Sequence, residues 1–366
     1  MKKITGLVIL MIVSALFLIA CGGENDTSSN GSSNENGEKL HIEVVAKGFQ
    51  HQFWTAVSEG AEQAASDFGV TMNFTGPANE TAIQEQNQML SNAINQSPAA
   101  IALASLDTES QIDLISQAQN SGIPIIGFDS GVPGAPEGSI TANASTDNYA
   151  AAELGAENIF DAISEDVDNA TTEASVRIGI VSQEVNSMSI RTRTEGFMDR
   201  IVELVATSDN VSEEEIAIVG HDRYNNGVSE NDAKVVVELQ VPAQATDAAI
   251  QVSAQTLFNK PDLIAIFGTN ELGGNGIINA NQATGNRLQT DVVGGGFDSG
   301  ALQIDAVRNG VLHGAITQNP VQIGYMAIEL AVKAVNGEDV SDVDTGAVWY
   351  NASNVDSEDV QALLYE

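Results

Sequence analysis

The sequence is short of cysteine and histidine. Cys21 is the only cysteine among 366 residues, so the chain can form no internal disulfide and its core must be stable without one. A single cysteine also excludes a thiolate metal cluster. The four histidines stand singly, without the spacing of a metal motif: His41, His51, His221 and His313. The sequence therefore predicts no metal and no cofactor.

Basic residues are also scarce. The chain has 14 Lys and Arg residues against 50 Asp and Glu, a formal net charge of −36 at pH 7. A field of this sign repels phosphate backbones, which excludes nucleic acid as a partner. Scarce lysine with abundant carboxylate indicates adaptation to a saline or alkaline habitat. Ordinary extracellular acidity is the alternative explanation.

Two catalytic motifs are absent. The sequence has no G-x-x-x-x-G-K-[ST] phosphate loop. It has no G-x-S-x-G nucleophile elbow in either of its two FDSG stretches, because aspartate stands at the central position. A glycosidase would need one carboxyl group kept protonated by its surroundings, which residue types alone do not indicate. We therefore expect a protein that is not an enzyme.

The N-terminus has the pattern of a lipoprotein signal. Two lysines and a long apolar run precede Leu18-Ile19-Ala20-Cys21, which predicts a signal peptide over 1–20 and lipidation of Cys21. An uncleaved membrane anchor is the alternative. Residues 21–38 are rich in Gly, Ser and Asn and form a predicted tether. No later segment is long and apolar enough to span a bilayer, so we expect an extracytoplasmic protein held at the membrane by lipid.

From Lys39 onward, strand-like and helix-like segments alternate. This alternation predicts parallel sheets covered by helices, the α/β class. The pattern restarts near Thr146-Asp147, which favours two doubly wound, Rossmann-like lobes over a single (β/α)₈ barrel.

The FDSG stretch occurs twice, each time at the end of an apolar strand. The two copies place Asp129 and Asp298 at equivalent strand ends. Ligands of doubly wound sheets bind beyond the carboxyl ends of the strands, so facing lobes would bring both aspartates into one cleft. The alternative is that each aspartate caps the helix that follows.

Seven motifs in order carry a family resemblance: Phe53-Trp54, GIPIIGFD, Thr146–Asn148, Arg191–Phe197, Phe267–Glu271, Val292–Asp298 and Ala315–Gly324. With these motifs the chain resembles the type I solute-binding proteins of ABC importers, in the ribose- and allose-binding branch, from Lys39 to the C-terminus. The resemblance implies a periplasmic-binding-protein-like fold with a three-segment hinge. It implies an N-terminal lobe of 39–146 plus 319–346 and a C-terminal lobe of 147–318 plus 347–366.

The resemblance also implies a set of sugar contacts. The aromatic pair would lie on the sugar ring, with helix core as the alternative, and the two aspartates would accept hydroxyl hydrogen bonds. Arg191 would be the binding arginine and Arg193 a salt-bridge residue, and the pair would also neutralise the aspartates in the closed cleft. The further contacts implied are Lys47, Asn270 and Gln318. Glu271 is expected to cap the helix that follows it.

Some positions depart from the ribose-type pattern. His51 and Gln52 stand where an asparagine-proline pair is usual, and Ser130 stands where ribose binders often have arginine. Ala104 or Ser105 replaces a strand-end asparagine. We place His51 and Ser130 at the predicted site, and another aldose, a deoxysugar or a sugar alcohol becomes as good a candidate as ribose.

The resemblance and the predicted signal together suggest a function. We expect a monomeric extracytoplasmic lipoprotein that binds a small neutral sugar or sugar alcohol by hinge closure. It would deliver the ligand to the permease subunits of an ABC importer. The alternative is a sugar-sensing component that presents ligand to a membrane sensor kinase or chemoreceptor. Sugar-responsive repressors share the fold but require an N-terminal DNA-binding motif, which this sequence lacks.

Overall fold

A computed structural model describes residues 39–49 and 51–365. The predicted signal peptide, the lipidated Cys21 and the tether lie outside the described residues. Of the helices in this part of the chain, none has the length and apolar character needed to cross a bilayer.

The first lobe is built on a six-stranded sheet. Its strands are all parallel, in the order β12-β5-β4-β3-β1-β2. The elements that belong to this lobe are β1 (His41–Val45), α1 (Gln52–Phe68), β2 (Thr71–Thr75), α2 (Ile83–Asn95), β3 (Ala100–Leu103), α3 (Ile112–Asn120), β4 (Ile125–Phe128), β5 (Ile140–Ser145), α9 (Pro320–Val335) and β12 (Val343–Asp344).

The second lobe is built on a seven-stranded sheet in the order β13-β11-β10-β9-β6-β8-β7. Its strands are parallel except β13, which runs antiparallel to β11. The elements are α4 (Asn148–Asp168), β6 (Val176–Val181), α5 (Met188–Ala206), β7 (Ile216–Val219), β8 (Val235–Gln240), α6 (Asp247–Phe258), β9 (Leu263–Gly268), α7 (Glu271–Ala283), β10 (Val293–Phe297), α8 (Ala301–Arg308), β11 (Gly314–Gln318), β13 (Ala347–Tyr350) and α10 (Glu358–Gln361). Short 3₁₀ turns occur at Glu213–Glu215, Glu230–Asp232 and Arg287–Gln289.

Helices cover both faces of each sheet, because the inner strands are apolar on both sides. β3 (AIAL) and β4 (IIGF) are fully buried. In the first lobe α1 and α9 pack on one face, and α2 and α3 on the other. In the second lobe α4 and α5 cover one face, and α6, α7 and α8 the other. The predicted fold class, two doubly wound α/β lobes, is confirmed.

Helices α1 and α9 approach closely at two glycines. A Cβ atom on Gly60 would lie 1.9 Å from the carbonyl oxygen of Val321, and one on Gly324 would lie 1.9 Å from that of Val57. These distances are far below van der Waals contact, so the helix pair requires both glycines.

The chain passes between the sheets three times: after β5, after β11 and after β12. Two of these crossings lie side by side. The backbone N–H of Asp147 donates to Asp344 Oδ1 (3.1 Å), and that of Thr345 donates to the carbonyl oxygen of Ser145 (3.0 Å). The lobes are thus joined by three crossing segments, and two of these segments are hydrogen-bonded to each other.

The sequence pattern misses two strands, the two-residue β12 and the longer β8. β8 lies between β6 and β7 in the second sheet, yet no strand is predicted between the segments that form β7 and α6. The VVVEL run of β8 is β-branched and buried, so a strand signal is present there. Acidic and amide residues on both sides obscure it.

Candidate functional site

A small cavity lies between the lobes, where the carboxyl ends of the two sheets face each other. It includes all of the predicted site residues except Ser130 and Arg191. The side chains that line it belong to Lys47, His51, Phe53, Trp54, Glu80, Asp129, Ile190, Arg193, Asn270, Asp298 and Gln318.

Asp129 and Asp298 occupy matching positions in the two lobes. Each directly follows a strand, β4 or β10, and each has a positive φ, 53° and 76° respectively. An L-residue in this left-handed region costs about 1–2 kcal/mol. Neither caps the helix that follows it in the chain, because Asp129 leads into a loop and the N-cap of α8 is Gly300. The backbone therefore turns at unfavourable angles to direct both carboxylates into the cleft.

Lys47 follows β1 and connects the lobes. Its Nζ lies 3.1 Å from Asp129 Oδ2 and 3.5 Å from Glu80 Oε2, and it donates to Ser189 Oγ of the second lobe at 2.9 Å. Burial alone would lower the pKa of Lys47, but the carboxylates of Asp129 and Glu80 raise it above its ordinary value. Lys47 is therefore a buried, charged lysine.

Glu80 is a site residue that the sequence does not reveal. Its Oε1 accepts from Trp54 Nε1 (2.8 Å), and its Oε2 accepts from Gln183 Nε2 of the second lobe (2.9 Å). His51 Nε2 lies 3.3 Å from the same carboxylate. Burial would raise the pKa of Glu80, but Lys47 and His51 lower it below its ordinary value. The available signal was its place after β2, at the same sheet edge as Asp129.

The arginine at the site is Arg193. Its guanidinium is buried, lies 3.7 Å from Asp129 and 3.6 Å from Asp298, and stacks 4.0 Å from the ring of Phe297. Its Nε donates to Asn148 Oδ1 at 2.7 Å.

Arg191, in contrast, lies outside the cavity. Its side chain is 24% exposed and pairs with Glu195 at 3.8 Å on the same helix. The structure therefore contradicts the predicted place of Arg191 at the site, whereas Arg193 makes its predicted salt bridges inside the cavity, with Asp129 and Asp298. Helix periodicity explains the exchange, because Arg193 shares the buried face of α5 with Ile190, Phe197 and Ile201.

The aromatic pair lies at the start of α1, and both rings are buried. Phe53 and Trp54 meet edge to face with ring centroids 5.0 Å apart, and Trp54 also meets Phe128 edge to face at 6.2 Å. Both rings line the cavity. They belong to the core of the lobe, as the alternative has it, and their contact with a ligand stays a prediction.

The amide side chains are held by protein partners. Asn270 caps α7 by accepting from the N–H of Gly273 (3.0 Å), and its Nδ2 donates to Gln183 Oε1 (2.8 Å). Gln318 Nε2 donates to Asp298 Oδ1 (2.5 Å), whereas its Oε1 is buried and has no partner within 39–49 and 51–365. Ser130 is buried behind the cavity, where its Oγ accepts from the N–H of Ser189 (3.3 Å).

Helix starts are capped across the cleft in both directions. The carboxylate of Glu271, from the second lobe, accepts from the N–H groups of Gln52 (3.3 Å) and Phe53 (3.1 Å) at the start of α1. Gln52 Oε1 in turn accepts from the N–H of Ala301 at the start of α8 (2.9 Å). Glu271 therefore caps a helix of the opposite lobe and not its own helix, whose N-cap is Asn270. Burial raises the pKa of Glu271 to about 7, although His51 and the N–H of Phe53 oppose this rise.

These contacts hold the lobes together in a closed arrangement. The free space among the lining side chains is about 10 Å³, the room of roughly one water molecule. Binding pockets for small organic ligands are commonly 300–1,000 Å³. A ligand of that size therefore reaches these side chains only when the lobes separate.

Comparison with known proteins gives consistent matches. Residues 42–339 match the family described as periplasmic binding protein domain. The ribose import binding protein of Salmonella typhimurium is 22% identical over 340 residues, which cover 93% of this chain and 95% of that one.

Two solved structures extend the comparison. A Brachyspira murdochii protein, described as an ABC transporter, LacI family transcriptional regulator, is 35% identical with a TM-score of 0.72, over 90% of this chain and 99% of that one. An ABC transporter solute binding protein of Agrobacterium vitis, solved with D-fucose, is 26% identical with a TM-score of 0.73, over 89% of this chain and 100% of that one.

Proposed function

Because the chain belongs to the periplasmic binding protein domain family, we propose that it is an extracytoplasmic receptor that captures a small sugar or sugar alcohol between its lobes. It then delivers the ligand to the permease of an ABC importer. The function is binding and transport, not catalysis. The observation that carries the proposal is the twin placement of Asp129 and Asp298 at facing strand ends.

The chemistry of the cavity suits a polyhydroxylated ligand. Ionised carboxylates accept hydrogen bonds and do not donate them, so Asp129 and Asp298 are matched to hydroxyl groups. Phe53 and Trp54 offer apolar surface to the C–H face of a ring. Ribose and D-fucose, named for a relative and a similar structure, belong to this ligand class.

The proposed mechanism is hinge closure. The lobes, with the predicted bounds 39–146 plus 319–346 and 147–318 plus 347–366, would rotate about the three crossings. In the open form the cavity is accessible. On closure, Lys47 and Asp129 of the first lobe meet Arg193 and Asp298 of the second, with ligand enclosed among them. Asn270 and Gln318 position these groups. Ser130 holds Ser189 behind the cavity, and His51 lies beside Glu80 at its edge.

The attachment and the partners extend the proposal. Lipidation at Cys21 would hold the protein at the outer face of the cytoplasmic membrane, with residues 22–38 as a tether that lets it reach the permease. We propose that it acts as a monomer. Uptake of labelled ligand by cells with and without this gene tests delivery directly, and a binding-competent protein without effect on uptake would favour the sensing alternative.

Calorimetric titration with pentoses, deoxyhexoses, hexoses and sugar alcohols tests the binding site. We expect one ligand class to bind the wild-type protein. Asp298→Asn should weaken that binding by about 10- to 150-fold, the value of one charge-assisted hydrogen bond. Asp305→Asn is the matched control, because Asp305 is exposed on α8 and pairs only with Arg308. Equal affinity in Asp298→Asn and Asp305→Asn would refute the site.

A further inference from the structure

The buried groups around the cavity carry an excess of negative charge. Five carboxyl groups are at least nine-tenths buried there: Glu80, Asp129, Glu184, Glu271 and Asp298. Two permanent cations, Lys47 and Arg193, accompany them, together with His51. With all five carboxyl groups ionised, three negative charges are uncompensated when His51 is neutral, and two when it is protonated.

The compensation is uneven across the cavity. Lys47 compensates carboxylates of the first lobe, because it contacts Asp129 and Glu80. Asp298 has a single cationic neighbour within 4.0 Å among the described residues, Arg193 at 3.6 Å. Glu271, whose backbone N–H donates to Asp298 Oδ2 (3.0 Å), has none within that distance in the same part of the chain. The deficit of positive charge thus lies on the Asp298 side.

The ionisation of these carboxyl groups reflects the deficit. Burial raises the pKa of Asp298 above its ordinary range, and Arg193 and Gln318 only partly oppose it. Burial raises the pKa of Glu184 as well, against the opposing effect of Lys47. Buried charges without partners are costly, so a bound cation would stabilise this side of the cavity.

Gln318 Oε1 is an unused hydrogen-bond acceptor at the cavity. It is buried, lines the cavity and has no partner among the described residues. Its orientation is fixed, because only the amide nitrogen can donate to Asp298. Two donors are already engaged, Trp54 Nε1 with Glu80 and Asn270 Nδ2 with Gln183. The terminal nitrogens of Arg193 lie 3.6 Å from Asp298 and 3.7 Å from Asp129, so they can still donate to a ligand hydroxyl.

Acceptors still outnumber donors around the cavity, because only two permanent cations accompany the five buried carboxyl groups, so the cavity favours a ligand that donates more hydrogen bonds than it accepts. A hydroxyl group donates one hydrogen bond and also accepts, whereas an ammonium group donates three, accepts none and brings a positive charge. The formal charge of −36 adds a long-range field that attracts cations.

We infer that the ligand is a polyhydroxylated amine, such as an amino sugar or an aminocyclitol, whose ammonium group is held by Asp298 and Gln318 Oε1. This inference rests on the proposed function and specifies its ligand class. It replaces the neutral sugar that the family resemblance implies. The ring hydroxyls remain matched to Asp129, Lys47 and Arg193.

Calorimetry with matched sugars tests the inference. Each skeleton is offered with a hydroxyl, a free amine or an acetylated amine at the same carbon: glucose, glucosamine and N-acetylglucosamine, then the galactose series, then inositol and its amino derivative. We expect the free amine to bind at least about 10-fold more tightly than its hydroxyl partner. Acetylation, which removes the charge, should abolish the advantage. Ethanolamine should not bind, because it lacks the hydroxyl pattern.

Two variants locate the ammonium group. Asp298→Asn should remove the preference for amine over hydroxyl, and Gln318→Met should reduce it. The control Asp305→Asn should keep it. Neutral sugars that bind as tightly as their amines would overturn the inference and leave the proposed function intact. A failure of every sugar, neutral or cationic, to bind the folded protein would overturn both.

Discussion

Replacement of Arg193 by alanine tests whether the binding arginine is Arg193, as the structure indicates, or Arg191, as the sequence pattern predicts. Asp129 keeps Lys47 at 3.1 Å, but Asp298 loses its cationic neighbour and becomes an uncompensated buried carboxylate. Removing one partner of a buried ion pair costs about 3–5 kcal/mol. Loss of the guanidinium also removes a charged donor to the ligand, worth about 1.5–3 kcal/mol for each hydrogen bond. Arg193→Ala should therefore lower both stability and affinity.

Two other arginines are matched controls. Arg177 is buried and bonded to Glu238, Glu230 and Asp262 near the amino end of β6, whereas the cavity lies at the carboxyl ends of the strands. Arg177→Ala should lose stability on the same scale, about 3–5 kcal/mol, and keep ligand affinity. Arg191→Ala breaks only a partly exposed pair with Glu195, so it should change stability by less than about 1 kcal/mol.

The assay is urea unfolding followed by circular dichroism, combined with calorimetric titration of the same samples. The three variants should give three different outcomes: loss of stability and binding for Arg193→Ala, loss of stability alone for Arg177→Ala, and neither for Arg191→Ala. Loss of binding in Arg191→Ala with retention in Arg193→Ala would refute the reasoning and restore the sequence-based assignment.

Three further predictions follow from single contacts. Because the pKa of Glu271 is raised to about 7 in the folded protein, its carboxyl group stays protonated at pH values where the unfolded chain has lost that proton. Between about pH 4.5 and 7 the free energy of unfolding should therefore fall by on the order of 3 kcal/mol more in the wild type than in Glu271→Gln. Equal pH dependence of the two proteins in urea titrations would contradict this. Gly324→Ala should lower the free energy of unfolding by about 1–3 kcal/mol, because it forces α1 and α9 apart even though alanine is the better helix former. The exposed control Glu62→Ala should change it by less than about 0.5 kcal/mol. Equal changes in the two variants would count against the close approach of the helices. The chain has two tryptophans, and ligand should alter the fluorescence of Trp349→Phe but not of Trp54→Phe, while the reverse result would move the ligand away from α1.

The sequence predicts the fold well because its signals are local. Buried parallel strands such as β3 and β4 are short apolar runs in the sequence. The amphipathic helices show apolar residues that recur every three or four positions. The repeated FDSG stretch identifies Asp129 and Asp298 as equivalent strand ends. It does not reveal that both have positive φ, because that conformation depends on the loops around them.

The remaining features depend on contacts between segments distant in sequence. The choice between Arg191 and Arg193 is decided by which face of α5 meets the second sheet. Glu80 enters the cavity through partners 26 and 103 residues away, Trp54 and Gln183. Glu271 caps a helix of the opposite lobe, which a local reading assigns to its own helix. No pattern in a single sequence encodes these pairings.

A thermal-shift screen of the wild-type protein and Asp298→Asn in parallel tests the central claim most directly. The panel holds aldoses, deoxysugars, sugar alcohols, cyclitols and amino sugars. A ligand at a hundred times its dissociation constant adds about 2.7 kcal/mol, which raises the midpoint by several degrees. The account predicts that one class raises the wild-type midpoint and raises that of Asp298→Asn by about half as much or less, because the variant binds about 10- to 150-fold more weakly. Equal shifts in both proteins, or cooperative transitions that no member of the panel shifts, would contradict it.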